Sequence, residues 1–178
     1  MIAAIIVLSL LCLGHLTLTL GLMRRLNEHT AVLDRIAGEP PEVMRPAGEV
    51  VDDFAATAFD GTPVALELLA APTIVGFFSP GCGPCKERLP EFIARVGHAP
   101  AGRALAVVVG AKGDTDSETE MMVSRLSEVA LVVVEPTDGP VAKAFGVRGF
   151  PAFGLIGDGG RIEAGGTDLA SIPVLVSA

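Results

Sequence analysis

Two thiols separated by a glycine and a proline, Cys82-Gly83-Pro84-Cys85, are the residues of this chain best equipped for chemistry. Cysteine reacts as its thiolate, and an anion is stabilised where a helix begins, by unpaired backbone N–H groups and the positive end of the dipole. The flanking residues place Cys82 at such a start. Thr73 to Phe78 is an apolar, β-branched and aromatic run suited to a buried strand, Ser79-Pro80-Gly81 breaks it, and Lys86 to Leu89 reads as helix. Cys82 is therefore the stronger nucleophile. Cys85, about one helical turn further on, is near enough to close a disulfide and is shielded by the first turn, which suits a resolving thiol. Pro84 is tolerated in that turn, because its missing N–H would have no partner inside the helix.

A lone CxxC has plainer readings. It could be half of a zinc site, but there is no second CxxC, and the three histidines, His15, His29 and His98, are scattered. It could also be two inert buried thiols, although packing does not explain Gly-Pro between them at a strand-to-helix turn.

The elements that must hold this turn are legible as an alternating pattern. Phe54–Phe59 and Pro63–Leu66 read as two short strands around Asp60-Gly61. After the thiols, Cys85 to Val96 reads as a helix with Leu89, Phe92, Ile93 and Val96 on one face and a kink expected at Pro90. Ala104–Val109 suits a central parallel strand. Ser117–Leu126 reads as a helix with acidic residues in its first turn, Leu131–Val134 as a strand, and Asp138–Phe145 as a short helix stopped by Gly146. Ala152–Ile156 and Arg161–Ala164, joined through Asp158-Gly159-Gly160, read as a closing hairpin.

The strand, CGPC, Lys86 and Pro90 together resemble the thioredoxin superfamily. Gly146-Val147-Arg148-Gly149-Phe150-Pro151-Ala152-Phe153 resembles the segment of that superfamily whose cis-proline faces the redox pair and receives the substrate backbone. The resemblance implies a thioredoxin-like α/β fold with a central mixed sheet flanked by helices. It also implies a cis Phe150-Pro151 bond, a redox disulfide Cys82-Cys85, and substrate contacts at Gly149, Phe150 and Pro151. The amino-terminal hairpin, with Asp53-Phe54, Asp60-Gly61, Val64 and Leu66, is similar to that of TlpA/ResA and peroxiredoxin-like domains rather than minimal thioredoxin.

The chain's 178 residues are 50% hydrophobic and its mean hydropathy is +0.55, which suits one domain plus a membrane segment. Met1 to Met23 contains no charged residue and is long enough to cross a bilayer, while the basic start and small-residue cleavage site of a secretory signal are missing. Residues 1–23 are thus expected to be an uncleaved single-pass cell-membrane anchor. Residues 24–48 are expected to be a juxtamembrane helix and Pro-rich linker, and residues 49–178 the thioredoxin-like domain. Cys12 lies within the anchor and is read as inert. Arg24 and Arg25, just after the span, favour a cytoplasmic domain by the positive-inside tendency. The resemblance to tethered TlpA/ResA and MauD proteins implies instead a domain outside the cytoplasmic membrane, where disulfides persist. The formal charge of −8 argues against nucleic acid or anionic lipid as a partner.

Two positions depart from the family pattern. Gly81 stands where a tryptophan commonly precedes the first cysteine, and Gly76 where thioredoxin has a buried aspartate, so the carboxylate that would deprotonate Cys85 is missing. The reading is a membrane-anchored thiol:disulfide oxidoreductase, used in the reducing direction as its anchored relatives mostly are. It needs no cofactor. Its partners would be a protein disulfide or dithiol substrate and a membrane thiol electron donor. Cytochrome c maturation and maturation of a particular enzyme, as in MauD-like proteins, are the family duties it suits. A peroxiredoxin-like peroxidase would need PxxxTxxC, which is absent. An anchored peptide-binding module without redox turnover is the non-enzymatic rival.

Overall fold

The computed structural model describes residues 14–15, 42–99, 102–110 and 117–175. The expected anchor and most of the juxtamembrane segment fall outside the described residues, and no helix among those residues is long and apolar enough to cross a membrane. Residues from Glu42 onward form one compact unit.

Among the described residues of this unit there are seven strands and three α-helices. Strands β1 (Ala55–Thr57) and β2 (Pro63–Ala65) make an antiparallel pair, tighter than the sequence pattern suggests, and the chain then enters a 3-10 turn at Leu66–Leu68. Strands β3 (Thr73–Phe78), β4 (Ala104–Val109), β5 (Leu131–Glu135), β6 (Ala152–Ile156) and β7 (Ile162–Gly166) form a sheet ordered β5-β4-β3-β6-β7. The pairs β3–β4 and β4–β5 are parallel, whereas β3–β6 and β6–β7 are antiparallel, so the sheet is mixed. Helices α1 (Gly83–Val96), α2 (Ser117–Leu126) and α3 (Pro140–Ala144) supply the connections.

Strand β3 occupies the middle of the sheet, and all six of its residues are buried. Its side chains alternate between two apolar layers, as a pleated strand requires. Val75 and Phe77 join Leu105, Val107, Val133 and Phe145 on one face, while Ile74 and Phe78 join Leu89, Phe92, Met122 and Phe153 on the other. Phe78 meets Phe92 edge-on at 5.2 Å between ring centroids, and Phe92 stacks on Phe153 at 5.8 Å. These rings lie against Gly76. A Cβ there would stand 2.6 Å from Cε2 of Phe92 and 3.0 Å from Cε2 of Phe78.

Two expectations change. Helix α1 begins at Gly83 rather than Cys85, with Cys82 as its N-cap, and it runs through Pro90 to Val96 as expected. The stretch 42–48, expected to be linker, is built into the domain. Met44 is buried beside Gly154 and Gly165, and Arg45 N–H donates to the Phe145 carbonyl at 3.0 Å. The chain after β7, which carries little amphipathic pattern, docks through buried Leu169 and Ile172, and Arg95 donates to the Ile172 carbonyl.

Candidate active site

The chain leaves the carboxyl end of the central strand β3 at Phe78, and Ser79 to Cys82 turns it into α1. Cys82 N–H donates to the Ser79 carbonyl at 3.2 Å, and Gly81 takes φ +80°, a left-handed conformation that an L side chain would strain. The turn leaves Cys82 in extended conformation as the N-cap, with Sγ accepting from the Cys85 N–H at 3.2 Å. Sulfur thus occupies the place usually filled by a serine or aspartate oxygen, facing donors that stabilise its anionic form. Gly83 and Pro84 make the first two helical positions, where proline costs no hydrogen bond.

Cys82 and Cys85 are joined by a disulfide, with Cα atoms 5.2 Å apart. Their exposures differ in the way the proposed roles require. Cys82 is partly exposed, while Cys85 is completely buried in the apolar layer that holds Leu89 and Phe92. Among the described residues no group of three or more His, Cys, Asp or Glu side chains is placed to hold a metal ion.

The second segment comes to the first from the other side of β3. The Phe150-Pro151 bond is cis, Pro151 is buried, and the Phe150 carbonyl oxygen lies 3.7 Å from Cys82 Sγ. Gly149 and Phe150 are partly exposed beside it. Gly149 lies against Val43, whose Cγ1 would stand 3.2 Å from an added Cβ. The structure thus brings together Cys82, Cys85, Gly83, Pro84, Gly149, Phe150 and Pro151.

Residues far away in sequence hold this arrangement, and sequence reasoning missed them. Buried Glu135, at the end of β5, caps α3 by accepting from the N–H groups of Val141 at 3.0 Å and Ala142 at 2.7 Å. Burial pushes its pKa above the usual carboxylate value, against the opposing pull of those two hydrogen bonds. At the other end of α3, Arg45 Nε donates to the Ala144 carbonyl at 3.0 Å, and Val43 O accepts from Arg148 N–H at 2.8 Å. The loop that carries cis-Pro151 is therefore fastened at both ends of α3.

A second carboxylate reaches the thiol turn. Glu118, in the first turn of α2, accepts from the Gly81 N–H at 2.8 Å and pairs with Lys86 Nζ at 3.1 Å. The Gly81 bond, followed by that to Lys86, holds its pKa below the usual range. By contrast Glu87 is exposed and Glu91 pairs with Arg88 at 2.8 Å.

No protein-family model matches the chain, and no curated protein matches its sequence. Solved structures do resemble it. The thioredoxin domain of a thiol-disulfide oxidoreductase from Bacteroides vulgatus aligns with a TM-score of 0.53 and 18% identity, over 68% of this chain and 88% of that one. This chain has a thioredoxin-like fold. A thio-disulfide isomerase from Thermus thermophilus gives 0.53 at 19% identity, over 69% and 86% of the two chains. A secreted disulfide oxidoreductase of Mycobacterium tuberculosis gives 0.53 at 20%, over 70% and 87%. The thioredoxin-like core of the present chain thus carries its two thiols at the carboxyl end of the central strand, facing the cis-proline loop.

Proposed function

We propose that this protein is a membrane-anchored thiol:disulfide oxidoreductase that reduces disulfides in other proteins. The observation that carries the reading is the pairing of a partly exposed N-cap sulfur, Cys82, with a buried partner, Cys85, opposite the Phe150 carbonyl. In the dithiol state the Cys82 thiolate attacks one sulfur of a substrate disulfide, forming a mixed disulfide and expelling the other sulfur as a thiolate. Cys85 then attacks Cys82 Sγ, closes the Cys82–Cys85 disulfide and releases the second substrate thiol. Two electrons and two protons pass to the substrate, and a dithiol donor restores the enzyme. The backbone of Phe150, beside Cys82, offers the substrate chain a polar edge to align on.

Residues 1–23, apolar and uncharged, support a single-pass anchor. An extracytoplasmic domain fits a thiol pair that cycles through a disulfide, and the similar Mycobacterium tuberculosis protein is described as secreted. A membrane dithiol would then be the donor, and apocytochrome c or an enzyme awaiting maturation would be the substrate.

The test is a redox titration of the full chain in detergent, equilibrated in graded dithiol/disulfide buffers, alkylated and weighed. With three cysteines, the reduced chain takes up three alkyl groups and the oxidised chain one. A reversible two-electron couple near roughly −270 mV supports a reductase, and one near about −120 mV an oxidase. Failure of the pair to exchange with the buffer refutes the redox reading and leaves a peptide-binding module.

A further inference from the structure

The Glu118 carboxylate has a place that helix capping does not explain. It sits in the first turn of α2, yet its oxygen is spent on the backbone of another element, the Gly81 N–H. That peptide is adjacent to Cys82 along the chain, and the positive φ of Gly81 accompanies an N–H turned toward α2. The same oxygen also holds Lys86, the cation nearest in sequence to the redox pair, at 3.1 Å. Glu118 therefore adds a negative charge beside the thiol turn and occupies the ammonium group that would otherwise act as counterion to a thiolate there.

Resting on the redox reading above, we propose that Glu118 is a positioning residue that sets the reducing poise of the Cys82–Cys85 couple. It does so by opposing formation of the Cys82 thiolate. Reduction of the disulfide creates a thiolate one residue along the chain from the Gly81 N–H that this carboxylate binds, and a like charge there disfavours it. A couple whose reduced form is less stabilised is the stronger electron donor, the converse of the stabilised thiolate that makes a strong oxidant. Glu118 is ionised at neutral pH, because the Gly81 and Lys86 bonds hold its pKa below the usual range. The charge is present whenever the dithiol works.

The variant that isolates the charge is Glu118→Gln, which keeps an oxygen for the Gly81 N–H. Its redox equilibrium is measured on the full chain, alongside the unsubstituted protein, about 2 pH units below and about 2 pH units above the midpoint of Cys82 alkylation in the unsubstituted protein, because a helix start can move that midpoint well away from the ordinary thiol value. At the lower pH the reduced form is largely dithiol in both proteins, and the two potentials should coincide. At the higher pH Glu118→Gln should be the weaker reductant by about 3-fold to 10-fold in the equilibrium constant, as expected for one screened charge at short range. That is roughly 14 to 30 mV at 29.6 mV per decade. The midpoint of Cys82 alkylation should fall in parallel by about half to one pH unit.

Equal potentials at both pH values overturn the proposal. So does an equal shift at both, which would mark a change of loop structure rather than of thiolate energy. If the unsubstituted protein itself fails to exchange with the buffers, the redox reading falls and this inference with it. A pH-dependent divergence supports both.

Discussion

Replacing Gly76 with alanine should lower the stability of the fold by about 1 to 3 kcal/mol, the usual cost of forcing an extra methyl into a filled core. The magnitude follows from where the methyl would go. It would stand 2.6 Å from Cε2 and 2.9 Å from Cζ of Phe92, against 3.4 Å for the near limit of ordinary contact, so the ring must withdraw by about 0.8 Å. Phe92 has nowhere easy to withdraw. It is fully buried, with Phe78 edge-on to it and Phe153 stacked on it. Urea unfolding of the full chain in mild detergent, followed by far-UV circular dichroism because the protein has no Trp or Tyr, reads the loss directly. Shortening the ring should absorb much of it. Gly76→Ala combined with Phe92→Leu should be more stable than the sum of the single effects by at least about 0.5 kcal/mol. If Gly76→Ala is as stable as the parent, or if the two changes simply add, the steric argument is wrong. An aspartate at 76 should cost more, since it adds a carboxylate with no polar partner to the same crowding. This is the physical reason why the base thioredoxin keeps on this strand has no room here.

Three further outcomes follow from the same geometry. Cys85→Ser should accumulate a mixed disulfide between Cys82 and substrate, seen by mass under non-reducing conditions, whereas Cys82→Ser should capture none. Glu135→Ala removes the acceptor for two buried N–H groups and should cost about 1 to 3 kcal/mol. Because burial raises the folded-state pKa of Glu135, the proton it holds stabilises the fold below the unfolded value near 4.5, and that contribution is lost as pH rises through the raised value. The stability gap between parent and Glu135→Ala should therefore be widest in acid and narrow toward neutral pH, and a gap that widens instead would contradict the assignment. Met44→Ala should destabilise by about 2 to 5 kcal/mol as a buried large-to-small change, where a linker residue would register almost nothing.

The parts of the site that sequence makes legible are local or repeat a strong chemical pattern. CGPC after an apolar run specifies strand, turn and helix start within a few residues, and each residue type there has one physical use. The resemblance implies a central mixed sheet flanked by helices, whereas the order β5-β4-β3-β6-β7 is seen only in the structure. Boundaries were less visible where propensity is weak. Helix α1 starts two residues before the expected Cys85 because the Cys82 sulfur can serve as its cap, a role normally read from an oxygen-bearing side chain. Met44 looked like linker because Pro40, Pro41 and Pro46 around it signal an extended chain, and an extended chain can still bury one side chain in a domain.

Glu118 and Glu135 were hidden for a more general reason. An acid in the first turn of a helix already has a local explanation in the dipole, so nothing in Ser117-Glu118-Thr119-Glu120 says that one of its carboxylates serves the backbone of a turn 37 positions away. Glu135 likewise ends an apolar strand, where the ordinary expectation is an exposed polar residue, and its value appears only when α3 folds back and presents two N–H groups to it. Both side chains act on main-chain donors, and every residue but proline carries such a donor, so the partner leaves no mark in the sequence. The thiols, which react with each other, are recognisable by type and spacing. The carboxylates that position their surroundings, Glu118 at the Gly81 N–H and Glu135 at the start of α3, become recognisable only with coordinates.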